Sequence, residues 1–178
     1  MNHVKILGAR SIVLAIFAMT HAFWPLARDD NSIFSWGVLA LVLAAVFGAS
    51  HRVTPGPHRP FIAMMTAVSA VVGVVAIAGG IVAGPGVLAW TVVVFGVLVG
   101  VSEMGAARTG QGIPRHDHML LGGASLMLAL ASLIGPLDPT WLSGTMVAWA
   151  AIGAVLAGTA SVGWKDQILS AGAKENKS

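Results

Sequence analysis

Six long apolar segments divide the chain, and the short gaps between them hold most of its charged residues. A helix needs about 20 apolar residues to cross a bilayer, with roughly 17–25 as the working range. Helices are expected because lipid offers no partner to open backbone groups. The pattern therefore predicts an all-α integral membrane bundle in a single domain. The predicted spans are about 6–26, 33–50, 61–83, 87–107, 119–137 and 141–164, followed by a short cytoplasmic tail over 165–178.

The gaps alternate between a short turn and a longer loop, which predicts three helical hairpins. The second helix of each hairpin carries small residues at every fourth position, and a basic residue closes each row. Small residues at this spacing let helix backbones approach closely in lipid. The rows recur about every 56 residues, which indicates an internal repeat. They are Ala40, Ala44 and Gly48 with Arg52; Gly96 and Gly100 with Arg108; and Gly153, Ala157 and Ser161 with Lys165.

The positive charges are concentrated in alternate gaps and at the two ends of the chain. Of the 10 Lys and Arg residues, all but Arg28 fall at the two ends of the chain or in every second gap. The positive-inside rule then places both termini in the cytoplasm, with the chain crossing the cell (inner or plasma) membrane several times. Arg10 falls near the inner end of the first span, where its side chain is expected to reach the headgroups.

Tryptophan positions give a second indication of where the interfaces lie. Amphipathic rings favour the boundary between lipid and water, so tryptophans beside the outer gaps are expected there. Trp149 lies deeper in its span and is expected to pack between helices. The tryptophans beside the outer gaps are Trp24, Trp36, Trp90 and Trp141.

Composition supports the same class. Hydrophobic residues make up 56% of the chain and charged residues 10%, against ~25% charged in an ordinary soluble domain. The basic residues flank apolar spans, so we expect them to contact anionic lipid headgroups rather than nucleic acid. The expected partners are the lipid bilayer and, through the small-residue faces, a second copy of the chain or another membrane protein. Cysteine is absent, which excludes disulfides and thiolate ligands.

Six spans in three hairpins, with small-residue rows that end in a basic residue, resemble the HdeD-like family of small bacterial membrane proteins. The segments that carry the resemblance are 36–52, 95–108 and 152–165. The resemblance implies a six-span membrane fold and a broad link to acid-stress resistance. It implies no catalytic residues.

Two ionisable residues within the spans are the candidates for function. A charged side chain inside a membrane is costly, so Glu103 is a candidate proton relay. Alternatively, Glu103 pairs with Arg108 or with a basic residue of another hairpin and holds the helices together. His21 falls near the outer end of its span, where it titrates in the acid range or binds a headgroup or a backbone group.

No enzyme or cofactor signature is present. H-E-x-x-H and G-x-S-x-G are both absent. The inner loops hold several histidines and one aspartate without a zinc or iron spacing, so we expect polar loop residues there and neither a metal nor a cofactor. We expect a non-enzymatic membrane protein in the envelope or acid-stress response, or alternatively a transporter or channel for a small solute or protons that uses Glu103. The loop residues are His51, His58, His116, Asp117 and His118.

Overall fold

The computed structural model describes residues 3–23, 32–54, 56–82, 85–109, 115–135 and 138–175. Six long helices account for nearly all of these residues, and no β-strand occurs among them. The predicted all-α class is confirmed. The helices are α1 (His3–Phe23), α2 (Ser32–His51), α3 (Arg59–Val82), α4 (Pro85–Arg108), α5 (Arg115–Ile134) and α6 (Pro139–Glu175), with a short 3₁₀ turn at Gly56–His58 before α3.

Each helix contains a stretch that is long and apolar enough to cross a membrane. The chain is therefore a multi-pass membrane protein whose helices contact the lipid bilayer. The predicted bounds fit α2, α3 and α4 closely. α1 and α5 begin a few residues earlier than predicted, α5 also ends earlier, and α6 is longer than expected. α5 already begins at Arg115, with Asp117 in its first turn. A carboxylate at this position interacts favourably with the positive end of the helix dipole. α6 continues to Glu175, because the segment after Trp164 contains no proline and much of the expected tail prolongs the helix.

The six helices form a closed ring in chain order, because α1 packs against α6 as well as against α2. The most extensive interfaces are α4–α5, α2–α3 and α1–α6. Each of these joins one predicted hairpin to the next instead of joining the two helices of one hairpin. The three-hairpin arrangement therefore stays a prediction, whereas the ring defines which helix faces meet.

Glycines allow the closest of these contacts. A β-carbon built on Gly96 would lie 2.6 Å from the carbonyl oxygen of Ser125 in α5, and one on Gly100 would lie 2.9 Å from that of Gly122. Gly37 and Gly73, which the sequence patterns did not single out, bring α2 and α3 together in the same way. Of the other small residues in the predicted rows, Ala40, Ala44 and Ala157 are buried, Gly48 and Ser161 are half-buried, and Gly153 lies against Leu14.

Three aromatic side chains meet at the centre of the ring. The rings of Trp36, Phe95 and Trp149 contact one another edge to face, with centroids 5.1, 5.5 and 6.0 Å apart. The interfacial position predicted for Trp36 is wrong: the side chain is fully buried, because it projects from α2 toward α4 and α6. Trp90 and Trp141 are exposed on the surface of the bundle. Trp24 and Arg28 lie outside the described residues.

Candidate functional site

A buried polar network joins three helices at one end of the bundle. Its centre is Glu103, which is fully buried in the last part of α4. One carboxylate oxygen accepts a hydrogen bond from the guanidinium of Arg10 in α1. The other lies 2.5 Å from Nδ1 of His118 in α5. The carboxylate therefore links α1, α4 and α5, at the end where α1 and α5 begin and α4 ends; we call this the network end.

Arg10 points into the bundle, so the prediction that its side chain reaches the headgroups is wrong. The residue is buried, and its guanidinium lies over the ring of Phe47 in α2, 5.0 Å from the ring centroid. A cation over an aromatic face is stabilised by the ring quadrupole. The ion pair with Glu103 compensates the charge of Arg10 inside the bundle, and the pair thereby brings a fourth helix, α2, into the network.

Two further side chains extend the network toward the loops. The ring of His118 stacks on that of His58, with centroids 5.8 Å apart and planes 21° apart. His58 is buried in the 3₁₀ turn before α3. The Thr109 hydroxyl donates to the carbonyl oxygen of Ala106 at 2.7 Å and lies 2.9 Å from Nε2 of His58. Polar groups thus continue from the centre of the network end to the last residue described after α4.

The residues treated as polar loop positions divide into two groups. His51 and His116 are exposed and Asp117 is partly exposed, as expected of polar residues near a surface. His58 and His118 are buried, and His118 lies in a helix rather than in a loop. Among the described residues, no group of three or more His, Asp or Glu side chains is arranged to hold a metal ion.

The other predicted site residues do not join the network. Arg52 and Arg108 are exposed, so the alternative that Glu103 pairs with Arg108 is wrong. The observed partner is instead a basic residue of another hairpin, Arg10. Lys165 lies in α6, but its side chain is outside the described part of the structure.

His21 is buried near the opposite end of the bundle, between α1 and α2. Its ring Nδ1 lies 3.1 Å from the carbonyl oxygen of Phe17, and its Nε2 lies 2.6 Å from the hydroxyl of Ser35. The ring also stacks on Phe17, with centroids 4.0 Å apart. Of the roles expected for His21, the structure shows the contact with a backbone group.

Replacing His118 by alanine is expected to lower the free energy of unfolding by roughly 2 kcal/mol, because a hydrogen bond to a buried carboxylate is lost. His116 provides a matched control two residues away in the same helix, with a side chain that is 79% exposed. His116→Ala is expected to change stability by less than about 0.5 kcal/mol. Chemical or thermal unfolding in detergent micelles measures both. Equal effects of the two substitutions would contradict a stabilising role for His118.

Comparison with known proteins identifies no similar protein. No protein-family model, curated protein or solved structure matches the chain. The resemblance to the HdeD-like family therefore stays a prediction, and the function is inferred from the fold and from the network around Glu103.

Proposed function

We propose that the chain is a non-enzymatic protein of the cell (inner or plasma) membrane, and that its network holds the cytoplasmic ends of the helices in one arrangement. The observation that carries the proposal is the position of Glu103, whose two oxygens bind side chains from two other helices. Both oxygens are engaged inside the protein, as expected of a buried structural carboxylate.

The placement of charge supports this orientation. Lys5, Arg52, Arg59 and Arg108 are all exposed at the network end of the bundle. Basic residues beside spans are retained on the cytoplasmic side and attracted by anionic headgroups. The network end therefore faces the cytoplasm in our proposal, and the end near His21 faces outward.

The energetics of buried charge support a role in specifying the arrangement of helices. A buried ion pair contributes little net stability compared with apolar residues, but removing one partner leaves a charge without compensation. An arrangement that separated Arg10 from Glu103 would incur that cost. The network thus selects the arrangement in which α1, α4 and α5 meet at this end.

The proposal predicts the behaviour of Glu103→Gln. We expect this variant to unfold at a lower temperature than the wild type, because Arg10 loses its counter-charge. Neither protein is expected to pass protons across proteoliposomes faster than protein-free vesicles do. The control is Asp117→Asn, the same chemical change at a partly exposed position in α5. A Glu103→Gln variant as stable as this control would contradict the structural role.

Transport of protons or a small solute is the second candidate function. It is favoured by the interior position of Glu103 and by the polar groups of His118, His58 and Thr109, which lead from it toward the loops. Transport predicts flux through the wild type that Glu103→Gln abolishes and Asp117→Asn retains. A pH-sensitive dye enclosed in the proteoliposomes reports proton flux and therefore separates a structural role from proton transport.

The resemblance to the HdeD-like family extends the proposal to the envelope or acid-stress response. A bacterial strain that lacks the gene is then expected to survive acid challenge less well than the same strain carrying it. Complementation with Glu103→Gln tests whether the network is needed. Equal survival with and without the gene would contradict the role in acid stress.

Association with a second copy or with another membrane protein is also proposed. Gly96 and Gly100 are already used within the bundle, against α5, so these glycines do not supply the contact surface. Native mass spectrometry from lipid nanodiscs measures the number of chains directly. A single chain with no copurifying protein would contradict this part of the proposal.

A further inference from the structure

A groove runs along the outside of the bundle between α1 and α2. Its volume is about 430 Å³, and its walls are apolar side chains of the two helices, among them Ile16, Phe34, Val38 and Val42. These four side chains are exposed on the face of the bundle that the membrane covers. At the end away from the network, the groove is bounded by Thr20 and by the hydrogen-bonded His21 and Ser35. We call this feature the α1–α2 groove.

The length of the groove is close to the hydrocarbon thickness of one leaflet. Along the α1 wall, Val13 and His21 are eight positions apart, which is about 12 Å at 1.5 Å per residue. Half of a ~30 Å hydrocarbon core is about 15 Å. His21 lies close to the end of its apolar span, whereas Val13 lies near the middle. The groove therefore runs from the interface to about the midplane of the bilayer.

The surface of the groove is apolar almost throughout, and the few polar residues beside it lie at one end. Thr20, His21 and Ser35 lie at the interfacial end, and the lining toward the midplane is apolar. A phospholipid likewise places its ester groups at the interface and its hydrocarbon chains inside.

A similar groove lies between the next two helices of the chain. A groove of about 410 Å³ lies between α3 and α4, and Trp90, Thr91 and Val94 line it. These residues follow Phe34, Ser35 and Val38 at the repeat spacing of about 56 residues. The two grooves have nearly equal volumes, and residues at corresponding positions of α2 and α4 form one wall of each.

We infer that the α1–α2 groove binds one acyl chain of an outer-leaflet phospholipid, with the ester region beside Thr20, His21 and Ser35. Only the choice of leaflet rests on the proposed function, since it follows from the orientation given there. The bound chain covers apolar surface that α1 and α2 leave open, because each packs more extensively against another neighbour, α6 and α3 respectively. Lipid is in this way a specific partner of the seam between the first two helices.

Photo-crosslinking tests the inference. The protein is reconstituted in vesicles of phosphatidylethanolamine and phosphatidylglycerol that contain a phosphatidylcholine with a diazirine at the middle of one acyl chain. Mass spectrometry then maps the labelled residues. Labelling of Val38 and Val42 is expected to exceed that of Val74, which is more exposed but lies outside both grooves. Labelling in simple proportion to exposure would show a lipid annulus only, and would overturn the inference.

A groove-filling variant provides the second measurement. Val38→Phe places a larger side chain in the groove and is expected to reduce labelling of Val42 and Ile16 about tenfold, as for loss of 1.4 kcal/mol of binding. Val74→Phe is the matched control, because it makes the same change on a lipid-facing position of α3. Unchanged labelling in Val38→Phe would overturn the inference. The labelling experiments do not involve Glu103. A negative labelling result would therefore not contradict the proposed function, and a negative result with Glu103→Gln would not contradict lipid binding in the groove.

Discussion

Replacing Arg10 by alanine is expected to reduce the free energy of unfolding by about 3–5 kcal/mol. The substitution removes the cation that faces Glu103, and the carboxylate remains fully buried. It also removes the cation from the face of Phe47. Unfolding in bicelles or mixed micelles, followed by circular dichroism, measures the loss. The control is Arg52→Ala, which removes an exposed arginine and is expected to change stability by less than about 0.5 kcal/mol.

A double substitution shows whether the loss comes from an unpaired charge. Arg10→Met combined with Glu103→Leu removes both charges and keeps apolar volume in their place. Replacing a whole buried pair in this way is often neutral or stabilising, so the double variant is expected to regain most of the stability lost in Arg10→Ala. The recovery is incomplete because His118 loses its carboxylate partner. If Arg10→Ala were as stable as Arg52→Ala, the pair would not contribute to the folded state.

Replacing Gly96 by alanine is expected to cost roughly 3 kcal/mol, at the upper end for overpacking. The added β-carbon would lie 2.6 Å from the carbonyl oxygen of Ser125 and 3.0 Å from the backbone nitrogen of Ala129. Both neighbours belong to the backbone of α5, so relief requires the two helices to move apart. The α4–α5 interface is among the most extensive in the bundle, and its separation also disturbs the pairing of Glu103 with His118.

Gly123→Ala is the matched control for this prediction. It makes the same chemical change within α5, where a β-carbon would meet nothing within 4 Å. Because alanine is the better helix former, this variant is expected to gain up to about 1 kcal/mol. The same unfolding experiment compares the two. A Gly96→Ala variant as stable as Gly123→Ala would show that α4 and α5 are not in close backbone contact.

The hydrophobic pattern predicted the helices well because a bilayer imposes a fixed length and an apolar surface on each of them. The pattern does not specify which helices pack together, since lipid-facing and buried positions are both apolar in a membrane protein. Trp36 illustrates this limit. Its position along the chain resembles that of an interfacial tryptophan, and only its orientation toward α4 and α6 places it in the core.

The network was found only in part from the sequence. Glu103 stood out because a carboxylate inside a span needs a partner. The sequence does not single out Arg10 and His118 in this way, because each lies near the start of an apolar segment, where an interfacial or loop position is expected. The helical periodicity of α5 indicates the buried position of His118. His118, Leu121 and Ser125 are three and four residues apart and share the buried face of the helix. Extending the helix backward from that face by one turn would have brought His118 into the bundle.

The pairing of Arg10 with Glu103 also sets a sequence of events during biosynthesis. The two residues are 93 positions apart, so Arg10 leaves the ribosome well before its counter-ion does. At ~5–20 residues per second, the interval is about 5–20 s. During this interval the bundle interior does not yet exist. An arginine near the start of α1 has water and lipid headgroups within reach. We expect the side chain first to take the interfacial position that the sequence indicates, and to enter the protein once α4 has been inserted. We therefore expect assembly of the network end of this bundle to include the transfer of a charge from the headgroups to a protein site.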